Sequence, residues 1–198
     1  MAWIRTAIGV AVLSGAGLLG GCVGYSSYPE VESLASSSPN FIQVKPVVEE
    51  ALREVIERYH PDWAGAYAVN LPSGMTATAQ EAIVAELGDD ARAMTRENAH
   101  LPTYSVGRIW VRGAKAKVDV IRPVLEIGPK PDGGIAYQGM TVWLNAGLNP
   151  WRVDFVQPWA IGVVEAPGLN FVDEVEEVNE SGDDGVVEEV PDEDPSED

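Results

Sequence analysis

Asp119 and Asp154 are the acids best placed for chemistry. Each sits inside an alternating stretch, "AKVDVIRP" and "WRVDFVQPW". Carboxylates on adjacent long strands can project into a common cleft. Alternation argues for a plainer placement: the valines and Phe155 take the opposite phase, leaving each acid on a solvent face beside Arg122 or Arg152. The two histidines are separated. His60 ends a helical stretch, where an imidazolium favours the helix dipole and can cap carbonyls. His100 precedes "LPTY" in an expected loop. Two histidines cannot build a three-histidine metal site, and His60-Pro61-Asp62 offers ligands at a spacing that closes no tetrahedron. No G-x-S-x-G nucleophile turn and no G-x-x-x-x-G-K-[ST] phosphate loop occurs. No cofactor is called for. The only cysteine is Cys22, so no disulfide can form within one chain.

Other residues suggest contact rather than catalysis. Trp110 and Trp143 fall in phase with polar neighbours, so one or both are expected at the surface. Beside Arg108 and Arg112 they would form a contact patch for an envelope protein, a glycan or a small ligand. The basic stretch Arg108, Arg112, Lys115, Lys117 and Arg122 straddles a hairpin and reads as solvated strand faces. Near the C-terminus, Glu177, Asn179, Ser181, Gly182 and Glu188 fall at calcium-loop positions 1, 3, 5, 6 and 12. Position 1 is Glu rather than Asp, Asp184 occupies the normally apolar position 8, and no amphipathic helices flank the loop. No specific metal site is assigned.

The elements that would position these residues are helices first and strands after. In "VKPVVEEALREVIERYHP", Val48, Leu52, Val55 and Tyr59 share one helical face, widened by Ala51 and Ile56. Pro46 suits the first turn, Pro61 ends the helix, and Glu49–Arg53 and Glu54–Arg58 are i,i+4 pairs. Thr78-Ala79-Gln80-Glu81 reads as a capping box opening a second helix, which Gly88 stops. Ile83 and Leu87 face inward. From Tyr104 the period becomes two. A Gly113-Ala114 turn joins two strands, and "AYQGMTVWLN" and "WRVDFVQPWAIGVV" add two more. The expectation is an α+β domain: one or two N-terminal helices packed on an antiparallel sheet of about four strands.

The first 22 residues carry an address. Arg5 precedes the uncharged run "TAIGVAVLSGAGLL", which is short of the about 20 residues a membrane span needs. Leu19-Gly20-Gly21-Cys22 resembles the lipobox of bacterial lipoproteins. The resemblance implies cleavage before Cys22 and a diacylglycerol thioether on its thiol. Acyl chains such as palmitate add about 0.8 kcal/mol per buried CH₂, so two or three anchor a protein stably. Val23, not Asp, follows the cysteine, which by this resemblance favours the outer membrane of a Gram-negative envelope. Gly15-Ala16-Gly17-Leu18-Leu19-Gly20 matches a dinucleotide fingerprint by letters alone, without the strand and helix that motif requires.

The formal charge of −18 is concentrated at one end: of 31 acids, 14 fall in residues 173–198, leaving 17 against 13 bases. Like-charge density without aromatics marks that tail as disordered in expectation, either solvating or repelling neighbours. The acidity argues against nucleic acid as a partner. The organisation read from the sequence is a signal peptide over 1–21, a Ser/Pro-rich linker over 22–40, a globular domain over 41–172 and the acidic tail.

Over residues 104 to 160, "AKAKVDVIRP", "YQGMTVWLN" and "WRVDFVQPW" after a helix are similar to NTF2-like α+β proteins. Envelope lipoproteins of that fold often open a last strand as Trp151-Arg152-Val153 does here. The resemblance implies a cone-shaped domain. For enzymes of the group it also implies a pocket Asp or His as general base, with Tyr137 or Trp143 as lining. Three readings follow. The first is a lipid-anchored, non-catalytic binding or interaction domain, favoured by the missing catalytic constellation. The others are an enzyme using Asp119 or Asp154 and a structural spacer with a solvating tail.

Overall fold

Helix α1, Val44–Tyr59, forms where the 3.6-residue period predicts it. Val44, Val47, Val48, Ala51, Leu52, Val55 and Ile56 are all buried on one side, and the larger of these side chains contribute roughly 1.5–3 kcal/mol each. Pro46 lies in the first turn. On the wet side Arg53 pairs with Glu49 at 2.6 Å and Glu50 at 2.8 Å, and Arg58 pairs with Glu54. His60 is the C-cap, its backbone N–H donating to the Ile56 carbonyl at 2.8 Å.

This computed structural model describes residues 38–131, 133–147, 150–165 and 168–172, with the backbone of 25–26. The expected signal peptide, most of the linker, the acidic tail and its calcium-like pattern lie outside the described residues. The fold is α+β: α1 and a second helix with one mixed sheet. The strands are β1 (Tyr25–Ser26), β2 (Tyr67–Asn70), β3 (Ala91–Ala93), β4 (Thr103–Arg112), β5 (Lys115–Val124), β6 (Ala136–Asn145) and β7 (Arg152–Pro158). Their order is β3-β2-β4-β5-β6-β7, with β1 pairing antiparallel to the far end of β4. Among the described residues no helix is long and apolar enough to cross a membrane.

The four expected strands are β4 to β7, and they pair antiparallel as a meander. The sheet is larger than about four strands and is not wholly antiparallel. β2 runs parallel to both β3 and β4. A parallel neighbour needs a crossover, and helix α2, Ala77–Glu86, supplies the one between β2 and β3. Its N-cap is Thr76, whose hydroxyl accepts from the Ala79 N–H at 3.3 Å, not Thr78. Gly88 adopts φ +107°, as a helix stop requires.

α1 is about 24 Å long at 1.5 Å per residue and touches β4, β5, β6 and β7. It covers one sheet face, where Ala116, Val118 and Val120 pair with Leu144, Val142 and Met140. A C-terminal clasp closes the parallel edge. Asn70, 1% exposed, donates to the Gly168 carbonyl and accepts from the Asn170 N–H, while Val172 N–H donates to the Met94 carbonyl.

Candidate functional site

The sheet face opposite α1 is built from registered cross-strand rows. Gly113, at φ +59°, turns the β4–β5 hairpin so that Arg112 faces Lys115 and Trp110 faces Lys117. Continuing across β6 and β7, one row reads Arg112, Lys115, Asn145, Arg152, and all four are exposed. The next row reads Trp110, Lys117, Trp143, Phe155. Lys117 Nζ stands 3.7 Å from the Trp143 ring centroid and 5.6 Å from that of Trp110, so its charge rests on aromatic faces. Trp143 is 37% exposed, Phe155 57%, and Trp110 is partly buried.

Phe155 corrects the sequence reading. It does not lie opposite Asp154 among the core side chains. Trp143 pairs with Phe155 but Leu144 pairs with Val153, so Asp154 is an extra residue in a bulge. One inserted residue reverses the phase, which puts Phe155 on the open face while Val153 and Val156 pack against the core.

A polar network lies beside the aromatic row. A second bulge places Gly107 and Arg108 together opposite Asp119. Arg108 donates to Asp119 Oδ2 through Nε at 2.9 Å and Nη2 at 2.8 Å. Thr141 donates its hydroxyl proton to Asp119 Oδ1 at 2.7 Å, and Trp159 Nε1 donates to Thr141 Oγ1 at 3.1 Å. The Trp159 ring lies over Gly139, where only hydrogen leaves room. Asp119 is 6% exposed, so it is not a solvated acid, and its cation is Arg108 rather than Arg122 or Arg152. A glycine just before Arg108 inside a strand pattern is the one sequence signal of that bulge.

Arg122 belongs to the other face. It is 5% exposed, donates to Gln138 and Glu126, and stacks 4.5 Å from the Tyr59 ring centroid. Desolvation pushes the Glu126 carboxyl up, but its own backbone N–H and Arg122 outweigh this and hold its pKa below the ordinary value. Nearby, His60 bonds through Nδ1 to the Tyr104 hydroxyl at 3.1 Å and through Nε2 to the Gly65 carbonyl at 2.8 Å. Because a carbonyl only accepts, Nε2 donates to Gly65. Burial pushes the Tyr104 phenol well above its usual pKa and raises Tyr67 and Tyr137 too. This cluster locks the end of α1 onto the sheet. His100 is exposed and bonded to the Glu97 carbonyl.

Asp119 and Asp154 are not brought together, since β6 separates their strands. Asp154 lines a shallow, open depression of about 230 Å³ with Asn145, Ala146, Gly147 and Arg152. That is below the roughly 300 Å³ at which small-molecule sites begin. Tyr137 and Trp143, the expected pocket lining, do not border it. Among the described residues no three His, Cys, Asp or Glu side chains converge as metal ligands. Arg108, Arg112, Trp110 and Trp143, expected to form a contact surface, lie on one open face. Lys117 and Phe155 complete it, and neither is assigned to it by the sequence pattern. Cys22 lies outside the described residues, three positions before β1. No family model, curated protein or solved structure matches the chain.

Proposed function

We propose that the chain is a lipid-anchored protein of the bacterial cell envelope, held through Cys22, that works by surface contact rather than by catalysis. The observation that carries contact over catalysis is the aromatic–cationic row of the open face, Trp110, Lys117, Trp143 and Phe155. The state of Asp119 supports the same reading. It is buried, both its oxygens accept from Arg108 and Thr141, and it does not line the depression beside Arg152. The anchor rests on Leu19-Gly20-Gly21-Cys22, and the absence of Asp at position 23 favours the outer membrane. The NTF2-like reading of residues 104 to 160 draws support from α1 crossing β4 to β7.

Intact mass spectrometry of the membrane-extracted protein, beside a Cys22→Ser variant, tests the proposal. The expected result is an acylated chain starting at Cys22 and loss of membrane partition in the variant. An unmodified N-terminus, or a chain residing in the cell interior, overturns it.

A further inference from the structure

We infer that the open sheet face lies against the membrane and binds a phospholipid surface carrying anionic headgroups. This rests on the anchored reading above and names the partner of the same face. The first argument is where the chain enters the fold. Tyr25 pairs with Val111 and Ser26 with Trp110, antiparallel to β4. The N-terminal end of β1 is therefore the end nearer Arg112 and the Gly113 turn. Cys22 is three residues away, a reach of about 10 Å at full extension. Acyl chains on Cys22 therefore hold the membrane within about 10 Å of the sheet end that carries Arg112 and Lys115.

The second argument is charge. The row nearest the anchor carries Arg112, Lys115 and Arg152 with Asn145 among them, all exposed and without an acid in the row. Asp154 stands on the bulge between this row and the next. The row behind it is aromatic, with a lysine stem between two tryptophans. This is the side-chain mixture that suits a membrane interface, where rings sit at headgroup depth and ammonium groups reach phosphate. The acidic segment begins elsewhere. Val172 is tied to Met94, just past β3, and β2 and β3 lie beside the opposite end of β4. Ser105, where β2 pairs, is about 20 Å along β4 from Val111. Val172, the last described residue before the 14 acids of 173–198, thus lies away from the cationic row. A face edged by these exposed cations turns toward an anionic leaflet. The acyl chains on Cys22 keep the chain at the bilayer, and the basic row sets which face turns toward it.

The test places the full chain on phosphatidylcholine vesicles with and without phosphatidylglycerol, the bilayer carrying lipids brominated near the headgroup. The chain is used natively lipidated, and separately coupled through its Cys22 thiol to a maleimide lipid. The Phe155→Trp variant reports contact at the aromatic row. Trp63, 73% exposed just beyond the end of α1, reports the reverse through the loss of signal in Trp63→Phe. The expected result is strong quenching at position 155 on phosphatidylglycerol vesicles and none at 63. The ratio of docked to undocked face, read from the quenching, falls about fivefold for each of Arg112→Gln and Lys115→Gln. Quenching at 155 is lost in about 0.5 M salt, where the Debye length is near 4 Å. Equal quenching at both positions, or none at 155 in either preparation, overturns the inference. So does quenching at 155 that appears only after residues 173–198 are deleted, which would make the acidic segment the occupant. Quenching at 155 in the maleimide-coupled chain, with no native lipid on Cys22 by mass, refutes the anchor and supports the face. Native lipid on Cys22 without quenching at 155 refutes the face and supports the anchor.

Discussion

Gly139→Ala isolates the contact that seats Trp159 against the sheet. A Cβ at position 139 would stand 2.5, 2.8 and 3.0 Å from three carbons of the Trp159 ring, where carbon contacts normally need about 3.5–4.0 Å. The backbone at 139 is not left-handed, so alanine itself is conformationally welcome. The whole penalty comes from the ring. To make room the indole must retreat by about 1 Å, which breaks the 3.1 Å bond from Nε1 to Thr141 Oγ1. It also strains the 2.8 Å bond from the Trp159 N–H to the Gly139 carbonyl. Overpacking costs about 1–3 kcal/mol and a lost neutral hydrogen bond about 1 kcal/mol. Trp159 is only partly buried and can escape toward water, so the expected destabilisation is about 2 kcal/mol. In a Trp159→Ala background no ring opposes the new methyl group. There Gly139→Ala becomes neutral or gains about 0.5 kcal/mol from reduced chain entropy. Urea denaturation of the four proteins, followed by far-ultraviolet circular dichroism at constant m-value, measures a coupling of about 2 kcal/mol. A single variant within about 0.5 kcal/mol of the parent, or the same cost in both backgrounds, would refute the packing argument.

Asp119→Ala removes the acceptor of Arg108 and Thr141; with Arg108 able to turn to solvent, a loss of about 2 kcal/mol is expected in urea melts. Asp119→Asn keeps an acceptor for Thr141 and costs about half of that. Tyr104, Tyr67 and Tyr137 have phenol pKa values raised by burial, so their contribution to stability is complete below the unfolded value of about 10 and declines above it. Alkaline melts should show a steepening loss above that pH, and Tyr104→Phe should flatten it. Glu126, held low, contributes above its unfolded value of about 4.3, and that contribution is lost as pH falls through the lower folded value. Its side chain is 45% exposed, so Glu126→Gln should reduce the total stability lost on acidification by at most about 1 kcal/mol.

Periodicity revealed the parts of the fold that have one wet side. α1, the hairpin ends of β4 and β5, and the second half of β6 alternate because one side faces solvent or the open face, and β6 coincides with the stretch "AYQGMTVWLN". β2 was illegible for the opposite reason. All four of its residues, Tyr67–Asn70, are buried between parallel neighbours, so no alternation survives in a run so short. β3 is three residues long and carries no pattern at all. Thr76 and Thr78, two positions apart, are both suitable caps by residue type. Glu81 completes a capping box only with Thr78, yet the helix begins directly after Thr76. In the candidate site, the exposed phase of Trp110 and Trp143 was readable, but the partners of Asp119 and the side taken by Phe155 were not. Both depend on bulges, which add a residue without changing composition.

The bulge at Asp154 also bears on how copies of this chain meet one another. β7 is a sheet edge, and a flat edge strand offers a row of free amide and carbonyl groups on which a second copy could add a strand. The inserted residue kinks that row midway, a charge stands at the kink, and Pro158 closes the strand without an N–H to give. The irregularity that turns an aromatic ring outward therefore also discourages edge-to-edge growth between copies.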